Sequence, residues 1–372
     1  SLELTRIKNP WLVGSVNWNI QLKTRAINWL CNKTEKSVLR LSNKDYNENN
    51  LSELLEKQSV YDLNIEIFNR IQTTITGWPG GKPNSDDTNR PERKSPSKKR
   101  IIIFSPHPDD DVISMGGTFD RLINQGHDVH VVYQTSGNIA VSNDNVLKFI
   151  EVYEDIFNVK DSKIINLKKI LKNNKEIISD KFIRNIAGKI REREAISATR
   201  FLGLSDSKTH FLKLPFYESG SVIKNEVTEF DQSLMNEIIT SIKPHQIYAA
   251  GDLADPHGTH AVCIKLLFKS LEQLKNKSFM KNCWVWLYRG AWHEWSIHEL
   301  DMAVPMSPEQ VLRKRKAIFF HQSQNNSVMF QGDDKREFWE RVEERNRDIA
   351  KQYRKLGLAD YQAMETFKRY HY

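Results

Sequence analysis

Two short stretches concentrate the side chains that can do chemistry. The first, Ser105-Pro106-His107-Pro108-Asp109-Asp110-Asp111, sets an imidazole and three carboxylates almost in succession. The second, Gly251-Asp252-Leu253-Ala254-Asp255-Pro256-His257-Gly258-Thr259-His260, brings two more imidazoles three positions apart, behind two carboxylates. Charges are costly to bury unless they are paired or hold a metal, so this density beside apolar sequence needs compensation, and a histidine-plus-carboxylate set suits zinc. A helix start capped by aspartates and fixed by prolines explains Asp109 and Asp110 as well. It does not explain His107, which capping does not need. A His-x-x-His turn alone is a weak metal signal. Joined to His107 and Asp110 it is a strong one, because His257 and His260 at a helix start project to one side of the turn.

Both stretches fall where a strand hands over to a helix. Residues 101–104 are a continuous apolar run, the pattern of a strand buried on both faces of a parallel sheet, and residues 246–250 form another. A helix is expected over residues 112–124, with Gly116 and Gly117 permitting close backbone approach and Gly126 ending it. A strand over 128–133 then completes a βαβ unit, and Thr135-Ser136-Gly137-Asn138 falls on the same edge as the site. His127 and His130 belong to a strand surface rather than to the metal. Helices over 146–157, 180–202 and 230–242 and strands over 210–216 and 283–288 extend the pattern, with an exposed lysine-rich segment between the first two helices. The fold class is α/β: a Rossmann-like, mainly parallel sheet with helices on both faces, which binds ligands at the carboxyl ends of its strands, plus a helical N-terminal region.

Pro106-His107-Pro108-Asp109-Asp110 resembles the signature of the zinc-dependent de-N-acetylases of the PIG-L/LmbE family, which act on N-acetylglucosamine-type sugars. Carried over by position, the resemblance implies His107 and Asp110 as Zn²⁺ ligands and Asp109 as general base. Asp111 stands where the family often has glutamate. The second stretch is similar to the family's His-Pro-Asp-His motif, so His260 completes the zinc set and His257 stabilises the oxyanion. Gly258 and Thr259 replace the usual middle residues, which leaves Asp255 or Asp252 to orient His257. Arg191-Glu192-Arg193-Glu194-Ala195 resembles the family helix whose arginine faces the substrate, pointing to Arg191; an ordinary helix with exposed ion pairs explains the same letters. Lys316-Ala317 through His321-Gln322-Ser323-Gln324 is also similar to a family motif, with His321 behind the ligands rather than among them. Arg289, ahead of Trp292 and Trp295, suits a sugar ring with an anionic substituent, or a packed aromatic edge.

Outside this core, residues 1–75 carry apolar residues at helical spacing and no histidine, so packing is their expected role. The segment from 77 to about 97 is dense in Gly, Pro, Ser and charge, which predicts a linker, with Trp78 anchoring it. The expected division is therefore a helical region and linker over 1–97 and a deacetylase domain over 98–372. A charged helix over 334–356 closes the chain as a solvated cover. TRIKNPWL, TGWPGGKPN and DTNRPER resemble the region after the isomerase domain of bacterial bimodular glucosamine-6-phosphate deaminase-like proteins, which implies an upstream deaminase-like domain or a homo-oligomer as partner.

The 372 residues and 39% hydrophobic content suffice for a buried core. The net charge of +8 comes from 55 basic residues interleaved with 47 acidic ones, which argues against nucleic acid and leaves room for an anionic small substrate, here an amino sugar. No apolar run is long enough for a membrane span, and SLELTRIKNPW lacks a secretory apolar core, so the expected location is cytoplasmic. Three scattered cysteines exclude a full disulfide set. The chain begins without Met, as a processed product or a piece of a longer protein would. A non-catalytic sugar-binding or regulatory module is the alternative to an enzyme.

Overall fold

The computed structural model describes residues 17–83, 96–158, 161–173, 180–219, 223–252, 258–289, 293–325 and 336–372. Among the described residues, the helices α1 (Ile20–Thr34), α2 (Asn43–Glu48) and α3 (Val60–Gln72) precede β1 (Arg100–Ser105). The chain continues through α4 (Asp110–Asn124), β2 (Asp128–Tyr133), α5 (Asn143–Phe157), α6 (Ser162–Asn173), α7 (Lys181–Phe201) and β3 (Thr209–Phe211). Then come α8 (Glu229–Ile242), β4 (Gln246–Ala250), α9 (Thr259–Leu274), β5 (Trp284–Tyr288) and β6 (Met302–Met306). Helices α10 (Pro308–Phe319), α11 (Gln322–Asn325) and α12 (Phe338–Lys355) lead to β7 (Ala363–Tyr370).

The strands form one sheet in the order β3-β2-β1-β4-β5-β7-β6. The first five are parallel, and β7 runs antiparallel to both β5 and β6. Period-2 alternation distributes β1 between two layers: Ile102 and Phe104 join the core on one face, Ile101 and Ile103 that on the other. Helices cover both faces, as expected. Strand order reverses direction between β1 and β4, and their carboxyl ends make the crevice where open α/β sheets bind ligands.

The end of the chain corrects the sequence expectation. Helix α12 is not a solvated cover: it buries Val342, Ile349, Ala350 and Tyr353, and β7 follows it into the interior of the sheet. The expected strand over 210–216 is shorter, and the lysine-rich segment contains α6, whose Leu171 is buried. Residues 77–83 also start as packed structure. Pro79, Gly80 and Gly81 are buried, the Pro79 carbonyl accepts from Tyr248 Oη at 3.3 Å, and a Cβ at Gly80 would lie 2.1 Å from the His127 ring. Trp78 itself is 38% exposed, and residues 84–95 of the expected linker lie outside the described residues.

The N-terminal helices share a hydrophobic core with the sheet: Ile27, Leu30, Leu63 and Ile67 belong to the same layer as Ile102 and Phe104. Arg70 pairs with Asp301 at 2.9 Å, and Thr74 Oγ1 meets Tyr353 Oη at 2.6 Å. Residues 74–76 hydrogen-bond Ala303 on β6, so the outer edge of the sheet is covered there. None of the described helices is long and apolar enough to cross a membrane.

Candidate metal centre

The turn after β1 is built by its own short side chains. Ser105 Oγ donates to the His107 carbonyl at 2.5 Å and accepts from Asp111 N at 3.1 Å, while Thr135 Oγ1 donates to the Pro106 carbonyl at 2.7 Å. Asp110 Oδ2 accepts from His107 N at 2.8 Å, closing the turn on itself. Asp111 faces inward, where Tyr133 Oη donates to it at 2.9 Å; burial pushes its carboxyl up to about 7 against that hydrogen bond. It is a support, not part of the open site.

Across the crevice, α9 begins at Thr259 after Gly258, which adopts a left-handed φ of 68°. This start delivers His260 to the turn after β1. Its Nε2 lies 3.2 Å from Asp110 Oδ2 and 3.3 Å from His107 Nδ1, and His107 Nδ1 lies 3.1 Å from Asp110 Oδ2. Three donor atoms thus form a nearly equilateral triangle. An ion with tetrahedral bonds of about 2.05 Å needs donors roughly 3.3 Å apart, the size of this triangle, and zinc takes histidine nitrogen and carboxylate oxygen. The residues present therefore fit a divalent cation, and these three form a group able to hold one. Burial drives the Asp110 carboxyl upward, but the His260 and His107 rings outweigh it and hold it well below the usual range.

Asp109 stands beside the triangle, with its carboxylate 2.9 Å from the Arg191 guanidinium of α7. Burial raises its pKa, Arg191 opposes that, and the Asp110 charge adds to the rise. Arg191 is 2% exposed, so the picture of an ordinary helix with exposed ion pairs does not hold here. Its neighbour Glu192 binds Lys189 and Lys213, and Glu194 accepts from both Ser323 N and Ser323 Oγ at 2.7 Å, fixing α7 to α11. His321 is buried near Arg191, and burial followed by that cation pushes its imidazole down to about 3.

Arg289 follows β5 on the same edge of the sheet and stacks 3.7 Å over the Trp295 ring. His257 and Asp255 lie outside the described residues; Asp252 is buried at the end of β4. His130 stands on the sheet against His210, and buried His127 accepts from Lys99 N at 3.2 Å, both away from the donor triangle. Three contributors escaped the sequence analysis. Tyr217 sits edge-on to His107 at 5.9 Å, Glu365 of β7 grips α4, and Arg184 lies two turns before Arg191 on the same face of α7. Only Arg184 carried a sequence signal, the seven-residue spacing to Arg191.

Glu365 acts where α4 is kinked at Met115 (φ −139°), which frees the next N–H groups. Its carboxylate accepts from Gly117 N at 3.0 Å and from Thr118 N at 2.6 Å, and Lys314 Nζ pairs with it at 2.7 Å. Gly117 is needed because a Cβ there would lie 2.2 Å from Met306 Sδ.

Residues 102–270 match the model of the PIG-L family, described as GlcNAc-PI de-N-acetylase. Over its full length the chain is 52% identical to a putative glucosamine-6-phosphate deaminase-like protein of Bacteroides thetaiotaomicron, and it spans 58% of that protein's length. Among solved structures, the chain is 20% identical to the N,N'-diacetylchitobiose deacetylase of Pyrococcus horikoshii, with a TM-score of 0.46 over 73% of this chain and 84% of that one. The 4-carboxy-2-hydroxymuconate hydratase GalB of Pseudomonas putida gives 16% identity and a TM-score of 0.48, covering 74% of this chain and 97% of that one. These two distant likenesses, one named a deacetylase and the other a hydratase, assign no reaction. The family match includes β1, the turn after it, α7, β4 and the start of α9, and residues 102–270 belong to the PIG-L family of de-N-acetylases.

Proposed function

We propose that this chain is a zinc-dependent hydrolase that removes the acetyl group from an N-acetylglucosamine-type sugar. The observation that carries the reading is the triangle of His107, Asp110 and His260 with Asp109 held beside it by Arg191. A divalent ion bound there supplies Lewis-acid polarisation of the acetamide carbonyl and activation of a water molecule. Asp109 accepts the proton of the attacking water at its carboxylate, and Arg191 favours the charged form of that carboxylate and aims it. In the same role as a general acid, Asp109 is placed to return the proton to the leaving amine. His257 is assigned to the developing oxyanion from the family pattern. Arg289, stacked on the buried Trp295 ring, offers the sugar a cation at the edge of the crevice.

The division into a packing region over 1–97 and a catalytic unit over 98–372 belongs to the same proposal. A phosphorylated amino sugar suits it best, because the relative that matches the full chain is named for glucosamine 6-phosphate and deacetylation would deliver that amine to a deaminase-like partner domain. The test is acetate release by zinc-loaded protein from N-acetylglucosamine, its 6-phosphate and short chitin oligomers. Release from the phosphate above the others is expected; release from none would remove the hydrolase assignment.

A further inference from the structure

Arg184 is a buried cation that the reaction described above does not use. It is 4% exposed; Nη1 donates to the Asn138 carbonyl at 2.6 Å, while Nε and Nη2 have no hydrogen-bond partner. A guanidinium withdrawn from water with most of its donors unmet is costly unless something fills them. It lines a cavity of about 820 Å³ together with Asn138, Asp180, Lys181, Phe182 and Glu218. That volume lies in the range of small-molecule sites.

The cavity adjoins the metal centre through two pairs of neighbours. Gly137 precedes Asn138 and packs on the site, since a Cβ there would lie 3.2 Å from Arg191 Cζ and 3.0 Å from Pro108 Cδ. Tyr217 precedes Glu218 and lies against His107. Neither carboxylate in the wall hydrogen-bonds Arg184, although the charge of Asp180 acts on it. Asp180 accepts from Phe182 N at 2.9 Å and Ile183 N at 3.1 Å, capping α7, and exposed Glu218 accepts from Asn138 Nδ2 at 3.1 Å. Lys181 and the positive end of the 21-residue helix α7 add to the field at Arg184.

We propose that this cavity is a substrate subsite in which Arg184 binds an oxyanion, phosphate or carboxylate, carried by the sugar whose acetamide lies at the metal centre. The inference rests on the deacetylase reading and narrows its substrate to anionic amino sugars. Guanidinium binds such oxyanions through two parallel hydrogen bonds, and the two unfilled nitrogens of Arg184 are the donors available for it. Phe182, 53% exposed at the rim, supplies an apolar face for the ring.

Calorimetric titration with glucosamine 6-phosphate, glucosamine and muramic acid tests this without catalysis. Wild-type protein is expected to bind an anionic sugar roughly 10- to 100-fold more tightly than glucosamine, as charged hydrogen bonds predict. Which anion binds tighter separates phosphate from carboxylate. In Arg184→Gln the gap is expected to close while the melting temperature and zinc content stay near wild type. Equal binding of charged and neutral sugars by wild type, or a gap that survives Arg184→Gln, overturns the proposal. If Arg184→Gln does not fold, competition decides: inorganic phosphate must displace glucosamine 6-phosphate from wild type, and failure to do so overturns it. An anionic preference without acetate release from any N-acetylated sugar would sink the deacetylase reading and leave the subsite standing; release without preference would do the reverse.

Discussion

The Arg191 guanidinium lies 2.9 Å from the Asp109 carboxylate, with side chains only 2% and 13% exposed. Burial raises the pKa of this carboxyl, and the adjacent cation opposes that rise, favouring the charged form a base requires. Neither residue belongs to the donor triangle, so binding of metal and movement of a proton rest on separable side chains.

Asp109→Asn is therefore expected to retain zinc and to lose deacetylation by about 10²- to 10⁴-fold, the usual contribution of a general base. Arg191→Met should follow it in lowering kcat with metal content unchanged. Steady-state kinetics alongside metal analysis check both. Normal turnover by Asp109→Asn would place the base elsewhere.

The clustering of His107, Asp110 and His260 was legible in the sequence because they sit at two strand-to-helix junctions whose apolar runs, at 101–104 and 246–250, announce buried parallel strands. The other side of the sheet was not. Pro305 interrupts β6, which is tolerated there because β6 lies at the end of the strand order, and β7 carries Glu365, Lys368 and Arg369 among its apolar residues. Charged letters resemble surface in a sequence; that Glu365 is fully buried against Lys314 depends on a contact spanning 51 positions. Arg191 was marked by the resemblance of its helix to a family motif, whereas Arg184 passed unnoticed because in a helix rich in charge only its seven-residue spacing to Arg191 shows that it shares the inward face.

Glu365→Ala removes the acceptor for Gly117 N and Thr118 N and leaves the buried Lys314 ammonium without its carboxylate partner, so a loss of about 3–5 kcal/mol in unfolding free energy is expected. Replacing both partners together, Glu365→Met with Lys314→Met, should recover part of it. Denaturant unfolding of wild type and these two variants measures the effect. A cost below about 1 kcal/mol for Glu365→Ala would mean that the kinked helix holds itself without this cap.

His127 sets an acid limit on stability. Burial, then Lys99 and Lys98, push its imidazole down to about 4 from an ordinary 6.5. A folded-state value below the unfolded one means that the stabilisation is complete above about pH 6.5 and is lost as pH falls from there toward 4. His127→Gln keeps an acceptor for Lys99 N but cannot titrate. Wild type should lose up to about 3 kcal/mol more than this variant between pH 7 and pH 4. Parallel pH dependence in both proteins would contradict it.

His107, Asp110 and His260 are expected to hold one divalent ion for catalysis. Zinc content after equilibrium dialysis, measured on wild type and on His260→Ala with folding verified by circular dichroism, tests it most directly. One zinc per wild-type chain and near-complete loss in the folded variant are expected, with acetate release lost in parallel. A wild-type protein that retains no divalent metal, or a His260→Ala variant with undiminished zinc, would contradict it.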